Sequence, residues 1–168
     1  MEYIYEYDSP MGRLTMSSDG ESLTGLWVEN QKYFKSTLGT EFEKKQLAVF
    51  DAVIAYLERY FKGEKPEMNF NLKPKGSDFR QRVWQMLLEI PYGETTTYGK
   101  IAKALEAETG KRVSAQAVGG AIGHNPILIL VPCHRVIGSD GSLTGYASGM
   151  DKKQYLLDLE RNVENGIV

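Results

Sequence analysis

Apolar positions along this chain alternate at first, then recur every three to four residues, and the change of period separates its elements. Residues 2–7 are rich in aromatics and read as a strand, broken by the turn chemistry of Asp8-Ser9-Pro10-Met11-Gly12. Residues 13–17 alternate, with Leu14 and Met16 on one face. Asp19-Gly20 gives a hairpin signal, and residues 23–28 return as a third strand. Leu47, Phe50, Val53, Ile54, Leu57 and Phe61 then fall at helical spacing, with Gly63 just past the end. The first sixty residues thus predict a small sheet followed by a helix.

A composition shift comes next. Residues 63–76 carry Pro66, Pro74, three lysines and two glycines, with little periodicity, and mark a domain boundary. The expected division is 1–76 and 77–168. The second part reads as mainly helical. Ser77 can cap a helix in which Phe79, Val83, Met86, Leu87 and Ile90 share a face, ended by Pro91-Tyr92-Gly93. Thr97 can cap a short helix holding Ile101, Ala102 and Leu105. After Gly110, Ser114 opens another helix, which Asn125-Pro126 closes. Two short helices with a turn between them fit a helix-turn-helix. Residues 127–131 read as a buried strand and Asp140-Gly141 as a hairpin tip. Residues 152–160 form a closing helix around Tyr155, Leu156 and Leu159.

Composition narrows the class. The 168 residues are 42% hydrophobic and 25% charged, which suits a folded globular chain. A net charge of −2 excludes a strongly basic coat but not a local basic patch. One cysteine excludes an intrachain disulfide framework, and with two histidines it makes a closed zinc site a poor reading. The longest apolar run, residues 127–131, is far short of the roughly 20 residues that cross a bilayer. The first residues have neither the basic nor the apolar region of a signal peptide. These features predict no membrane association and a reducing, cytoplasmic setting.

The stretch 115–123 is unusual. Ala115, Ala117, Gly119, Gly120, Ala121 and Gly123 are all small. A glycine inside a helix costs about 1 kcal/mol relative to alanine, so a mid-helix pair calls for a reason. One reading is another helix pressed against Gly119 and Gly120. The other is a helix stripped of bulk to enter a narrow groove, offering Gln116 and little else, which suits the minor groove of DNA. Between residues 98 and 135, Lys100, Lys103, Lys111, Arg112 and Arg135 outnumber Glu106 and Glu108. That local excess fits either a phosphate footprint or a solvated face.

Chemistry concentrates at Pro132-Cys133-His134-Arg135. A thiol is a weak nucleophile near pH 7 until a base or a cation favours the thiolate. Neighbours on an extended strand face opposite ways, so His134 serves Cys133 only if Pro132 begins a turn or a water relays the proton. A working imidazole also needs an orienting partner, and Glu160, Asp151, Asp158 and Asp140 all qualify by spacing. His124, just before Asn125-Pro126, reads as a helix-end histidine satisfying a carbonyl.

Gly123-His124-Asn125-Pro126, Pro132-Cys133-His134-Arg135-Val136-Ile137-Gly138 and Leu143-Thr144-Gly145-Tyr146-Ala147-Ser148-Gly149 together resemble the O6-alkylguanine-DNA alkyltransferases of the bacterial constitutive type. Asp8-Ser9-Pro10-Met11-Gly12, Leu23-Thr24-Gly25-Leu26 and Pro91-Tyr92-Gly93-Glu94-Thr95-Thr96-Thr97-Tyr98 extend the likeness over nearly the whole chain. The resemblance implies an α+β protein, a small ribonuclease-H-like α/β domain followed by a mainly helical winged-helix domain with a helix-turn-helix. It further implies a cytoplasmic monomer that repairs DNA by direct damage reversal. The helix-turn-helix would bind double-stranded DNA in the minor groove and flip O6-alkylguanine, or O4-alkylthymine, into a pocket. The alkyl group would pass irreversibly to Cys133 in a single turnover, with no cofactor and no metal.

Carried over residue by residue, the resemblance makes Cys133 the acceptor and His134 the base acting through a water. Glu160 would orient His134, and Asn125 would tie the preceding turn to the cysteine segment. Tyr98 would donate to the flipped base, the carbonyls of Cys133 and Val136 would accept from its amino group, and the Ala147 amide would reach its oxygen. Tyr146 and Ser148 would line the pocket, while Ser114, Ala115, Gln116, Ala117 and Gly119 would form the DNA face. Many relatives have arginine at the position of Gln116, and some have small residues or proline where Leu128 and Ser148 stand. Two rival classes differ in turnover: an alkyltransferase-like sensor transfers nothing, and a cysteine hydrolase cycles.

Overall fold

The computed structural model describes residues 1–143, 146 and 149–164. The first part is a sheet of β1 (Glu2–Ser9), β2 (Gly12–Ser18), β3 (Leu23–Val28) and β4 (Phe42–Lys44), followed by helix α1 (Ala48–Phe61). The strand order is β3-β2-β1-β4. The first two connections make antiparallel hairpins, and β4, which periodicity did not reveal, pairs parallel with β1 through Ile4 and Lys44. Leu14 and Met16 lie opposite Val28 and Leu26. With Phe50, Val53 and Leu57 of α1 they form one buried cluster, so the alternation and the helical stripe meet as the sequence predicts.

The outer edge of β3 is covered by two other segments. Leu23 exchanges backbone hydrogen bonds with Asn71 and Lys73, at 2.9 and 2.7 Å. The segment 63–76 is therefore partly strand-like, because an exposed β3 edge offers unpaired backbone groups that it satisfies. Further along, Leu26 N–H donates to the Pro126 carbonyl at 2.8 Å and Leu128 N–H to the Leu26 carbonyl at 3.0 Å. That second pairing fixes the segment leading to Cys133 directly onto the first sheet.

The second part holds α2 (Asp78–Leu88), β5 (Thr96–Thr97), α3 (Tyr98–Thr109), α4 (Ala115–Gly123), a 3-10 turn (Cys133–Arg135), β6 (Val136–Ile137) and α5 (Met150–Glu164). The three predicted caps form: Ser77, Thr97 and Ser114 accept from the backbone N–H of Arg80, Lys100 and Ala117. α3 ends at Gly110 with φ 68°, a left-handed cap that glycine adopts without penalty. β5 and β6 pair in parallel, two residues each.

Several expectations change. Residues 127–131 are fully buried but form a tight turn with a single bridge, not a strand, and Ile129 has φ 71°. The stripe of α2 is rotated: Phe79 is 38% exposed, whereas Trp84 is buried and donates to the Ala121 carbonyl at 2.9 Å. The inner face of α5 is Lys153, Leu156, Leu157 and Glu160, while Tyr155 is exposed. Asp140-Gly141 forms a turn closed by Gly138 and Ser142, with no strand pairing across it among the described residues.

Candidate functional site

The turn before the cysteine is organised by one side chain. The Asn125 amide donates to the Val131 carbonyl at 2.8 Å, and its oxygen accepts from Ile127 N–H at 3.0 Å. Both groups are buried, so this side chain replaces the backbone pairing a strand would have supplied. Pro132 then leads into the 3-10 turn at Cys133, closed by Arg135 N–H onto the Pro132 carbonyl at 3.0 Å. A 3-10 turn rotates about 120° per residue, so Cys133 and His134 are not thrown to opposite faces as on a strand.

His134 is completely buried, and its Nε2 lies 2.5 Å from Glu160 Oε2. Of the four acids compatible with spacing, Glu160 is the one that meets it. The ring's other nitrogen, Nδ1, is buried and has no hydrogen-bond partner. Glu160 collects further donors: Tyr60 Oη at 2.5 Å, Gly93 N–H at 3.1 Å, and Arg135 through Nε at 2.8 Å and Nη2 at 3.2 Å. Arg135 also donates to the Ile90 carbonyl at 2.8 Å and lies over the Tyr92 ring. The arginine beside the cysteine therefore neutralises Glu160 and does not serve the thiol.

Electrostatics follow from burial. Desolvation pushes the Cys133 thiol up to about 11, against the opposing pull of Asn125 and the charge of Lys153. At neutral pH it is a thiol and needs a base. Burial lowers His134 despite its contact with Glu160, leaving the imidazole neutral at rest. Burial alone would raise Glu160, but hydrogen bonds from His134 and Arg135 and the charge of Arg135 outweigh it and hold the carboxyl far below its ordinary range.

Lys153 is the residue that sequence reasoning passed over. It is fully buried and donates from Nζ to the Val136 carbonyl at 2.5 Å. Its ammonium lies 5.9 Å from the centre of the Tyr98 ring and 6.0 Å from that of Tyr146. Burial lowers its pKa and the charge of Cys133 raises it. One cation thus gathers Cys133, Val136, Tyr98 and Tyr146. The signal was present: Lys153, Leu156, Leu157 and Glu160 recur at helical spacing, and a lysine and a glutamate on an otherwise apolar face are buried for a reason. The Cys133 carbonyl already accepts from Val136 N–H, so each of the two carbonyls keeps one lone pair. Ala147 and Ser148 lie outside the described residues.

The small-residue helix is open. A Cβ at Gly120 or Gly123 would meet nothing within 4 Å, and one at Gly119 would reach ordinary contact with the Tyr98 ring at 3.9 Å. No helix presses on the glycine pair, which removes the packing explanation. Ala115, Gln116, Ala117 and Gly120 are exposed, and Ser114 is the helix cap. Gly119 connects this face to Tyr98 and so to the cysteine region. A cavity of about 320 Å³ adjoins it, lined by Tyr33, Gly119, Gly120, His124 and Tyr146 among others. His124 Nδ1 meets the Gly120 carbonyl at 2.8 Å, as expected of a helix-end histidine, and its ring stacks on Tyr33. A larger hollow of about 780 Å³ lies away from Cys133, between α2 and the α3–α4 turn, where Arg82, Lys111 and Arg112 line it. Among the described residues no group of three or more His, Cys, Asp or Glu is placed to hold a metal ion. No described helix is long and apolar enough to cross a membrane.

Fold and site together define a two-domain protein in which one buried cysteine, backed by a histidine and a carboxylate, lies near Tyr98 at the start of the helical pair α3–α4. Comparison with known proteins makes the class specific. The family model of the 6-O-methylguanine DNA methyltransferase ribonuclease-like domain matches residues 3–74, and that of the DNA-binding domain matches residues 78–162. A methylated-DNA–protein-cysteine methyltransferase of Haemophilus influenzae is 45% identical over 160 residues, covering 95% of this chain and 86% of the relative. One from Mycobacterium bovis is 47% identical, covering 92% and 90%. The crystal structure of Mycobacterium tuberculosis OGT in complex with DNA superposes with a TM-score of 0.84 at 44% identity, covering 96% of this chain and 94% of that one. The chain belongs to the methylated-DNA–protein-cysteine methyltransferase family.

Proposed function

We propose that the protein repairs duplex DNA by moving the alkyl group of O6-alkylguanine onto Cys133, once per molecule. The observation that carries this reading is the buried Cys133–His134–Glu160 cluster lying next to an open, small-residue helix face through Gly119 and Tyr98. α4 enters the minor groove with Ser114, Ala115, Gln116, Ala117 and Gly119, and Lys111 and Arg112 meet phosphates nearby. The damaged base swings out of the stack, because its alkylated oxygen is out of reach inside the duplex. O4-alkylthymine is a second substrate of the same chemistry. The domains divide at 76/77, the first supporting the turn that carries the acceptor.

In the transfer, the Cys133 proton passes through a water to His134 Nδ1, the nitrogen left without a protein partner. Sγ attacks the alkyl carbon as the bond from that carbon to guanine O6 breaks, and the leaving electron pair stays on the base. Tyr98 supplies a proton to the base, and Tyr146, Ala147 and Ser148 with the Val136 carbonyl hold it. Lys153 is the nearby cation that favours thiolate as the proton departs. The balance closes within protein and substrate, so the step draws on no cofactor. A thioether is a poor leaving group, and the protein stops there.

Intact-mass analysis after incubation with a duplex containing O6-methylguanine tests this directly. The expected result is a gain of one methylene, mapped to Cys133 and saturating at one equivalent. Binding of the duplex with no gain would make the protein a sensor, and continued turnover would make it a hydrolase. The DNA face has its own test. Gln116→Arg should tighten duplex binding and steepen the dependence of log K on log salt by about one unit for an added phosphate contact. An unchanged affinity and slope would mean that this side chain does not meet DNA.

A further inference from the structure

From the ribonuclease-like domain, one side chain among the described residues hydrogen-bonds the carboxylate of the cysteine site. Tyr60, near the end of α1, is fully buried and places its hydroxyl 2.5 Å from Glu160 Oε2, a hundred residues away in sequence. That oxygen also receives His134 Nε2 at 2.5 Å and Arg135 Nη2 at 3.2 Å. A carboxylate oxygen has about two lone-pair sites, so three donors compete for one atom. Tyr60 cannot answer by ionising. Burial first, and then the Glu160 charge, push its phenol well above the ordinary range, so it is always the donor. Its ring packs against Tyr56 and Phe61 of its own helix and against Tyr92, with centroids 6.4, 5.6 and 6.1 Å apart. The position of the hydroxyl is thus set by the packing of α1 against the turn that carries Tyr92.

We infer that Tyr60 is a positioning residue for the proton acceptor, binding Glu160 Oε2 so that His134 rests neutral, with Nε2–H on the carboxylate and Nδ1 available. The inference rests on the proposed transfer reaction for its purpose, but not for its test. An unshared carboxylate against a buried imidazole draws a proton onto it, and a doubly protonated ring cannot accept the thiol proton. Tyr60 takes part of the Glu160 charge and weakens that pull. The other groups around the pair are Tyr56 from α1, the Gly93 amide from the α2–β5 turn, Arg135 from the 3-10 turn, and Lys153 from α5. Arg135 and Lys153 both disfavour the imidazolium, and Arg135 shares the carboxylate with Tyr60. The first domain thereby sets the protonation state of a base carried by the second. The pairing of β3 with residues 126–128 holds the two parts in register for this contact.

Tyr60→Phe removes the hydroxyl and leaves the ring in its packing. With only two histidines in the chain, imidazole NMR titration resolves His134, and His124 serves as an internal reference. The His134 midpoint is expected to rise by about one pH unit in Tyr60→Phe while His124 stays in place. The acidic limb of the transfer rate should move with it. Leu57→Ala in the same helix deletes buried apolar packing only; it should lower the melting temperature and leave the His134 midpoint alone. An unmoved His134 in Tyr60→Phe, an equal movement in Leu57→Ala, or a His134 that stays neutral down to acid unfolding in both wild type and Tyr60→Phe would each overturn the inference. If the wild-type protein transfers no alkyl group, the proposed function fails, and the titration still decides the role of Tyr60.

Discussion

Cys133→Ala is expected to abolish alkyl transfer to the protein completely while duplex binding stays within about threefold of wild type, a small change on the free-energy scale. The reason is spatial. The thiol is buried at the 3-10 turn, whereas Gln116 and the open face of α4 are on the surface. Removing one sulfur from a packed site costs little more than its own contacts, so the melting temperature should fall only slightly. Mass analysis on the methylated duplex, a gel-shift titration and a melting curve check the three parts. A variant that neither binds nor folds would return Cys133 to a purely structural role. Residual transfer would place the acceptor elsewhere.

Glu160→Gln is the second large expectation, because it strikes both folding and chemistry. Among the described residues, Glu160 is the acid paired with both His134, which is fully buried, and Arg135, which is largely so. Its neutral replacement leaves the guanidinium without a counter-charge, a loss of about 3 kcal/mol for a broken buried pair. The amide also fails to fix the tautomer that keeps Nδ1 free. Transfer should therefore slow by about a hundredfold or more, the usual contribution of a positioned base.

The pH dependence of stability should change as well. Glu160 titrates lower in the folded chain than its ordinary value of 4.5, so its contribution is present above that pH and fades as pH falls below it. His134 is also lowered from 6.5, so its contribution is complete above that value and is lost on acidification. Both effects make the wild-type protein acid-labile. In Glu160→Gln the part lost below about pH 4.5 should disappear, giving a shallower slope there in denaturant titrations at stepped pH. Equal slopes and an unchanged transfer rate would move the orienting role to another group.

What the sequence by itself determined was local. Alternation in β2 and the helical stripes of α1 and α3 specify which face is buried, and Ser77, Thr97 and Ser114 are capping residues whose hydroxyls bond within three positions. The motif around Cys133 and the unusual smallness of α4 were equally legible, because residue type alone carries them. The tertiary structure decided the rest. Residues 127–131 read as a strand because buried turns and buried strands are both apolar; the distinction lies in Asn125 satisfying Val131 and Ile127 and in the β3 edge pairing beside it. Spacing could not separate Glu160 from Asp140, Asp151 and Asp158; the family resemblance selected it, and the path of α5 brings it against His134. Lys153 and Tyr60 escaped notice because their burial is set by contacts far apart in the chain. The Tyr60–Glu160 contact spans 100 positions, and no local propensity or spacing encodes a hydrogen bond between two domains.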